Sequence, residues 1–284
     1  MKEIKPPYVK DVEELQLLAD NANLGSYPQL LGNYIVFRDQ YLKYISNKGD
    51  PWSIESLISD NDLKGALVTH YNSAPKGRLE FIDFYRRKLS PDICPMCGGP
   101  GNGTVDHYLP KDLYPEFSFF SKNLIPACNC NSLRGTTIKG DKSPKRVIHP
   151  YFDTFLNERL YTTLFAGDFD APKISIDIIN KNHPNFDILK FHLDEVINNA
   201  ATQGWFEKNW AKLSKKVHLI LKYFLPPKPE IITVESLKNT IENYIDSKDL
   251  EFETPNNWHS IFYSGIIDDI PRLERLVHII NSSR

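Results

Sequence analysis

All four cysteines of the chain lie inside one short stretch, as Cys94-x-x-Cys97 and Cys128-x-Cys130. Two such pairs bracketing a segment of roughly thirty residues have the spacing of a zinc staple that closes a loop. A chain stapled there must fold the enclosed segment as a tight unit, whatever the flanking sequence does. In and beside the loop stand Asp106, His107, Asn123 and Asn131. A carboxylate, an imidazole and two amides are side chains from which a hydrolytic metal site can be assembled.

A hydrophobic share of 41% with 12% aromatic residues is ample for a buried core. The opening residues MKEIKPPYVKDVEELQ carry charges and prolines where a secretory leader needs an apolar run. No uninterrupted apolar stretch nears the ~20 residues that span a bilayer. The expectation is a soluble, cytoplasmic protein with no membrane partner. In that compartment clustered cysteines favour metal or redox chemistry over disulfides.

Net charge is −2, but its distribution matters more than its sum. Between His107 and His149, seven basic residues (Lys111, Lys122, Arg134, Lys139, Lys142, Lys145 and Arg146) meet three acidic ones, Asp112, Glu116 and Asp141. Positive charge gathered around a candidate site is what a phosphodiester substrate requires. The five lysines and Arg146 are therefore candidates for nucleic-acid contact, although a solvated lysine-rich loop has the same composition.

Residues 1–89 read as helical over 9–24, 27–45, 53–71 and 77–89, with Asp11 available as a cap for the first. No catalytic pattern is visible there, so this arm reads as scaffold or as a surface for a partner. Residues 90–150 form the stapled module. Its order is a glycine-rich turn over 98–103, a strand over 104–109, an aromatic loop over 112–121 and a second strand over 123–127. A helix opened by Asn129 or Asn131 follows, with Asn131 and Arg134 one turn apart. Residues 151–284 are mostly helical. They hold a hairpin (161–165 with 174–179), a long amphipathic stretch over 186–224 broken near Gln203-Gly204, a helix over 234–244, and another over 257–280 interrupted at Pro271. The fold class is α+β, mainly helical, with a central ββα module between helical N- and C-terminal regions. His70, His183, His192, His218, His259 and His278 are scattered, form no ligand pair and read as structural.

Phosphodiester hydrolysis needs a nucleophilic water, a base to deprotonate it, and a cation to stabilise charge on the phosphate and the leaving oxygen. A histidine at the end of a strand serves as base when a partner on its other ring nitrogen fixes the tautomer. A hard ion such as Mg²⁺ prefers oxygen ligands and keeps several waters, so one carboxylate and one amide oxygen suffice. Neighbours on an extended strand point to opposite sides. Asp106 and His107 therefore share a site only where the strand ends or twists, and Pro110 supplies a reason for it to end.

The pattern Cys-x-x-Cys, Asp-His-x-x-Pro-Lys, Asn-Leu-x-Pro-x-Cys, Cys-Asn-x-x-Arg-Gly resembles the HNH endonucleases of ββα-metal fold. The wording Asp106-His107-Tyr108-Leu109-Pro110-Lys111 and Tyr114-Pro115-Glu116, with His149-Pro150-Tyr151 downstream, is most similar to HNH nucleases of bacterial anti-phage defence systems, of the Septu and retron-associated type. The resemblance covers about a fifth of the chain, and the flanking regions carry no signature.

This resemblance implies that His107 is the general base. Asp106 and Asn131 become ligands of a catalytic divalent ion (Mg²⁺ or another), with Asn131 standing where many relatives have His. Asn123 holds the loop and orients His107, and Arg134 contacts phosphate. Cys94, Cys97, Cys128 and Cys130 hold a structural Zn²⁺. One departure stands out: relatives usually separate the second cysteine pair by two residues, here by one, so a Cys₄ site needs altered backbone geometry where the helix starts. The implied partners are nucleic acid, DNA ahead of RNA, and an ATPase. An RNA-directed nuclease, for instance against tRNA, has the same site, because attack by water does not use the 2′-OH. A zinc-supported binding module without turnover accounts for the cysteines and the basic loop but leaves Asp106-His107 unexplained.

Overall fold

The computed structural model describes residues 1–88, 92–101, 104–227 and 230–283. The expected boundary at 89/90 and the end of the glycine-rich turn, Asn102 and Gly103, lie outside the described residues.

The chain opens with α1 (Asp11–Ala19), α2 (Gln29–Ser46), α3 (Asn61–Asn72) and α4 (Glu80–Lys88). Asp11 does not cap α1. It turns its carboxylate across the fold to accept from Ser121 N–H (2.7 Å), Ser121 Oγ (2.8 Å) and Lys122 Nζ (2.7 Å). The third helix starts at residue 61 rather than 53, because Asp60 caps it by accepting from the N–H groups of Asp62 and Leu63. The residues before that cap are engaged elsewhere: Ser56 Oγ and Leu57 N–H both donate to the buried carboxylate of Glu116, each at 3.1 Å.

Next, β1 (Thr104–His107) pairs antiparallel with β2 (Leu124–Ala127), Thr104 opposite Ala127 and His107 opposite Leu124. The first strand stops two residues short of its expected end at 109, and the second begins one residue late and ends at Ala127 as expected. The aromatic loop between them contains single 3₁₀ turns at Pro115–Phe117 and Ser121–Asn123, and α5 (Cys130–Arg134) follows β2. A two-stranded ribbon is marginal alone in water, and here the N-terminal helices bury its loop. Tyr41 stacks on Phe120 at 4.2 Å and Tyr44 tilts against Phe117 at 5.3 Å, with all four rings buried.

In the C-terminal region β3 (Tyr161–Ala166) and β4 (Lys173–Ile178) make the second antiparallel sheet. The helices are α6 (Phe186–His192), which runs into a π turn over Leu193–Ile197, then α7 (Ala200–Ile220), α8 (Val234–Phe252), α9 (Trp258–Ile267) and α10 (Ile270–Ser283). The long amphipathic stretch breaks at Asn198-Asn199, not at Gln203-Gly204, because the Asn199 side chain caps α7 by accepting from Ala201 and Thr202 N–H. Gly204 is an ordinary helical residue. The last break falls before Pro271, which occupies the first turn of α10, where no backbone N–H is required. α9 lies close on β3: a Cβ at Gly265 would sit 1.9 Å from the Thr163 carbonyl oxygen, so only glycine permits this approach.

The start of α9 also seals the first cysteine pair. The Trp258 indole donates to the Cys97 carbonyl (2.8 Å), and its backbone N–H donates to the Gly98 carbonyl (3.0 Å). Gly98 has φ +79°, and a Cβ at Gly99 would meet the Trp258 ring at 2.5 Å. The architecture is α+β, mostly helical, with two small antiparallel sheets. Among the described residues no helix is long and apolar enough to cross a membrane.

Candidate active site and metal centre

The four cysteine sulfurs converge to within 4.8 Å of one another. Cys94 Sγ lies 3.7 Å from Cys130 Sγ, and Cys97 Sγ lies 3.5 Å from Cys128 Sγ. A zinc–sulfur distance of ~2.3 Å in a tetrahedron requires sulfurs about 3.8 Å apart, so the set fits zinc despite the one-residue gap between Cys128 and Cys130. Backbone N–H groups point at the sulfurs: Gly99 to Cys97 (3.4 Å), Cys128 to Cys94 (3.3 Å) and Cys130 to Cys128 (3.4 Å). Such donors suit thiolates. Hydrogen bonding to Cys128 pushes the thiols of Cys97 and Cys130 well above the usual range.

His107 closes β1 and is buried, 5% exposed. Its Nε2 lies 2.8 Å from the Ser118 carbonyl oxygen. A carbonyl only accepts, so Nε2 carries the proton and Nδ1 keeps its lone pair. Burial, with the charges of Lys111 and Arg86 nearby, pushes the imidazole down to about 4 against the opposing pull of Ser118. It is therefore neutral at neutral pH, with the Nδ1 lone pair free of a proton. The Tyr71 ring stands edge-on to it at 4.2 Å, and the Tyr71 hydroxyl donates to the Val105 carbonyl at 2.9 Å.

Asn123 holds the loop that presents Ser118. Its Nδ2 donates to the carbonyls of Leu109 (3.0 Å) and Phe117 (3.1 Å), and its Oδ1 accepts from Leu109 N–H (2.7 Å). Behind it runs a buried chain from the N-terminal helices. Tyr151 N–H donates to His149 Nδ1 (3.2 Å), so His149 Nε2 carries the proton and bonds the Tyr44 hydroxyl (2.9 Å), which reaches Asn123 Oδ1 at 3.3 Å. Asn123→Ala leaves one buried N–H and two buried carbonyls without this partner. The expected cost is about 3 kcal/mol or more, read from urea unfolding; a variant as stable as the parent would show these bonds to be dispensable.

Asp106 precedes His107, and about a quarter of its side chain is exposed (24%). Burial pushes its carboxyl up to about 6, against Arg134 and the His107 backbone, which favour the charged form. Arg134 reaches over from α5: one terminal nitrogen lies 3.3 Å from Asp106 Oδ2 and 3.2 Å from the His107 carbonyl, while the other donates to Thr137 O (2.6 Å). Only 1% of its side chain is exposed. The guanidinium thus faces inward and ties the end of β1 to α5. One turn before it on the same helix stands Asn131, buried, with Nδ2 lacking any hydrogen-bond partner. Its Oδ1, the atom a hard cation would take, lies 4.0 Å from Cys130 Sγ on the side of the cysteine centre.

The basic residues divide. Lys122 is held by Asp11 and the Val9 carbonyl, and Arg146 grips Asp153 through two bonds of 2.7 Å; both are taken up inside the fold. Lys139 donates to the Pro51 carbonyl (2.8 Å) and lies over the Trp52 ring, and Lys145 pairs with Asp141 at 2.9 Å. Lys142 is exposed. Of this group Lys111 is the one beside His107. Sequence reasoning missed Tyr44, Tyr71 and Arg86, whose roles are set by contacts far along the chain and leave no local motif. His192 and His70 are structural as expected. His192 accepts from Ile148 N–H and bonds the Met96 carbonyl (2.7 Å), while His70 bonds Ser26 Oγ (2.9 Å).

No family model and no solved structure matches the chain. Curated proteins match over a shorter stretch. The chain is 35% identical over 83 residues to Protein ea31 of Escherichia phage lambda. It is similar to Septu protein PtuB. That protein, from Bacillus thuringiensis, is 32% identical over 80 residues. Each match takes in 28% of this chain, and 28% and 30% of the respective relatives, so the chain spans less than a third of the curated relatives it matches.

Proposed function

We propose that the chain is a metal-dependent HNH-type endonuclease that hydrolyses phosphodiester bonds of nucleic acid in defence against phage. One observation carries this reading: a buried neutral histidine, its tautomer fixed by Ser118, at the end of the strand that also bears Asp106, which Arg134 ties to the helix of Asn131. The likeness to Septu protein PtuB and the resemblance of the central motif to defence nucleases support the biological role.

In this reading a water facing the scissile phosphate gives its proton to Nδ1 of His107 as its oxygen attacks phosphorus. The Ser118 carbonyl, bonded to Nε2–H, stabilises the imidazolium that forms. A hard divalent ion held by the Asp106 carboxylate and the Asn131 amide oxygen would stabilise charge on the phosphate and the leaving oxygen. Arg134 braces Asp106, and Asn123 fixes the loop that carries Ser118. The other helices offer far more surface than so small a site needs, in keeping with the partner ATPase that the resemblance implies.

The test is parallel digestion of plasmid DNA and of RNA by the purified chain, alone and with a co-purified ATPase. Cleavage in Mg²⁺ that disappears in EDTA is the expected result, and the better substrate identifies the target. Intact DNA and RNA under every condition would leave a zinc-supported binding module.

A further inference from the structure

The N-terminal arm carries a cationic feature that the central motif does not predict. Arg86, on α4, lies with its guanidinium carbon 5.0 Å from the centre of the Tyr71 ring, and Lys111 Nζ lies 5.9 Å from the same centre. That ring is the one standing against His107 at 4.2 Å, and it is pinned by its hydroxyl bond to Val105. Two positive groups from distant parts of the chain are thus held beside the candidate base. Asp83 approaches Arg86 at 3.4 Å but is shared with Arg87 at 3.7 Å, and Lys111 makes no ion pair among the described residues. One carboxylate thus serves two arginines, and Lys111 adds a further positive charge beside the ring.

A cleft of about 320 Å³ leads away from this point, bordered by the α3–α4 connection and α4. Tyr71, Lys76, Arg78 and Arg86 line it, with Glu80 and Asp83 as its acidic members. The α4 helix packs against β1, so the cleft is fixed in register with His107. An arginine resting on an aromatic ring can present edge donors to a planar or tetrahedral anion, here in addition to the one that reaches Asp83 at 3.4 Å.

We infer that Arg86 is a phosphate-contacting residue of this site, and that the cleft lined by Tyr71, Lys76, Arg78 and Arg86 receives the nucleic-acid strand next to the scissile phosphate. The inference rests on the nuclease reading for its substrate and adds a binding path contributed by the N-terminal helices. The ligand chemistry is the phosphodiester backbone, common to DNA and RNA. Arg86 and Lys111, at 5.0 and 5.9 Å from the Tyr71 ring centre, grip the phosphates next to His107.

The experiment measures binding of fluorescent duplex DNA, single-stranded DNA and RNA of equal length by the full chain. It uses a His107→Ala background to prevent turnover, across a salt series. Loss of one phosphate contact lowers affinity roughly fivefold near 0.15 M salt and flattens the log–log salt slope by about one. Arg86→Ala is expected to show both, Arg86→Lys to retain the slope, and Lys76→Ala/Arg78→Ala/Arg86→Ala to lose about a hundredfold. Retention of the slope in Arg86→Lys separates a charge contact from a merely structural role. If Arg86→Ala binds with unchanged affinity and slope while the parent binds, the cleft assignment is overturned and the nuclease reading stands. If the parent binds with the expected slopes but the His107-containing chain never cleaves, the cleft stands and the nuclease reading falls. Absence of binding to all three probes overturns both.

Discussion

Replacing His107 with alanine is expected to lower the rate of phosphodiester cleavage by about 10²–10⁴-fold, the range for loss of a positioned general base. The expectation rests on two features of the imidazole: it is buried, and its Nε2 proton is committed to Ser118, which leaves Nδ1 as the accepting atom. The substitution also removes a buried ring from beside Tyr71 and leaves the Ser118 carbonyl without this bond, a cost of about 1–3 kcal/mol. Thermal unfolding must therefore be followed alongside single-turnover cleavage, so that only folded protein is compared. Equal rates in parent and variant would remove His107 as the base whatever the fate of the metal.

What the sequence disclosed was local. The cysteine spacing, the strand-loop-strand-helix order and the candidate pair at 106 and 107 are written within short spans, and the observed elements follow them. Long-range choices were not legible. Asp11 has the position of a helix cap, yet the 3₁₀ turn at Ser121 offers two donors and Lys122 a charge, and this combination outweighs one capping bond. The break in the 186–224 stretch follows Asn199, because a capping amide ends and restarts a helix more decisively than a glycine within it. Lys122 and Arg146 count as free positive charge in any composition, and only the fold places Asp11 and Asp153 against them. Tyr44 and Arg86 act on the site across long chain separations, which no periodicity or motif records. The N-terminal arm read as scaffold or as a surface for a partner for that reason.

Stripping the metal from the cysteine centre is the second test with a large expected effect. The four sulfurs are close enough to share one ion, and three backbone N–H groups already point at them. Without a cation these buried groups must either stay protonated or repel one another as thiolates. Structural zinc contributes ~10–16 kcal/mol of apparent binding energy in small domains. If about 5 kcal/mol of this is expressed here, where a larger core shares the work, melting should fall by roughly 10–20 °C. The centre also joins the turn on which Trp258 and His192 rest to the first residue of α5. Loosening it therefore frees the helix that carries Asn131 and Arg134, and cleavage should fall even with Mg²⁺ in excess. The measurements are zinc content per chain, melting before and after chelation, and the same two readings for Cys97→Ser. Recovery of stability and cleavage on adding zinc, but not on adding Mg²⁺ alone, would separate the two metal roles; a stripped chain that melts with the parent would show that the four thiols support the fold without an ion.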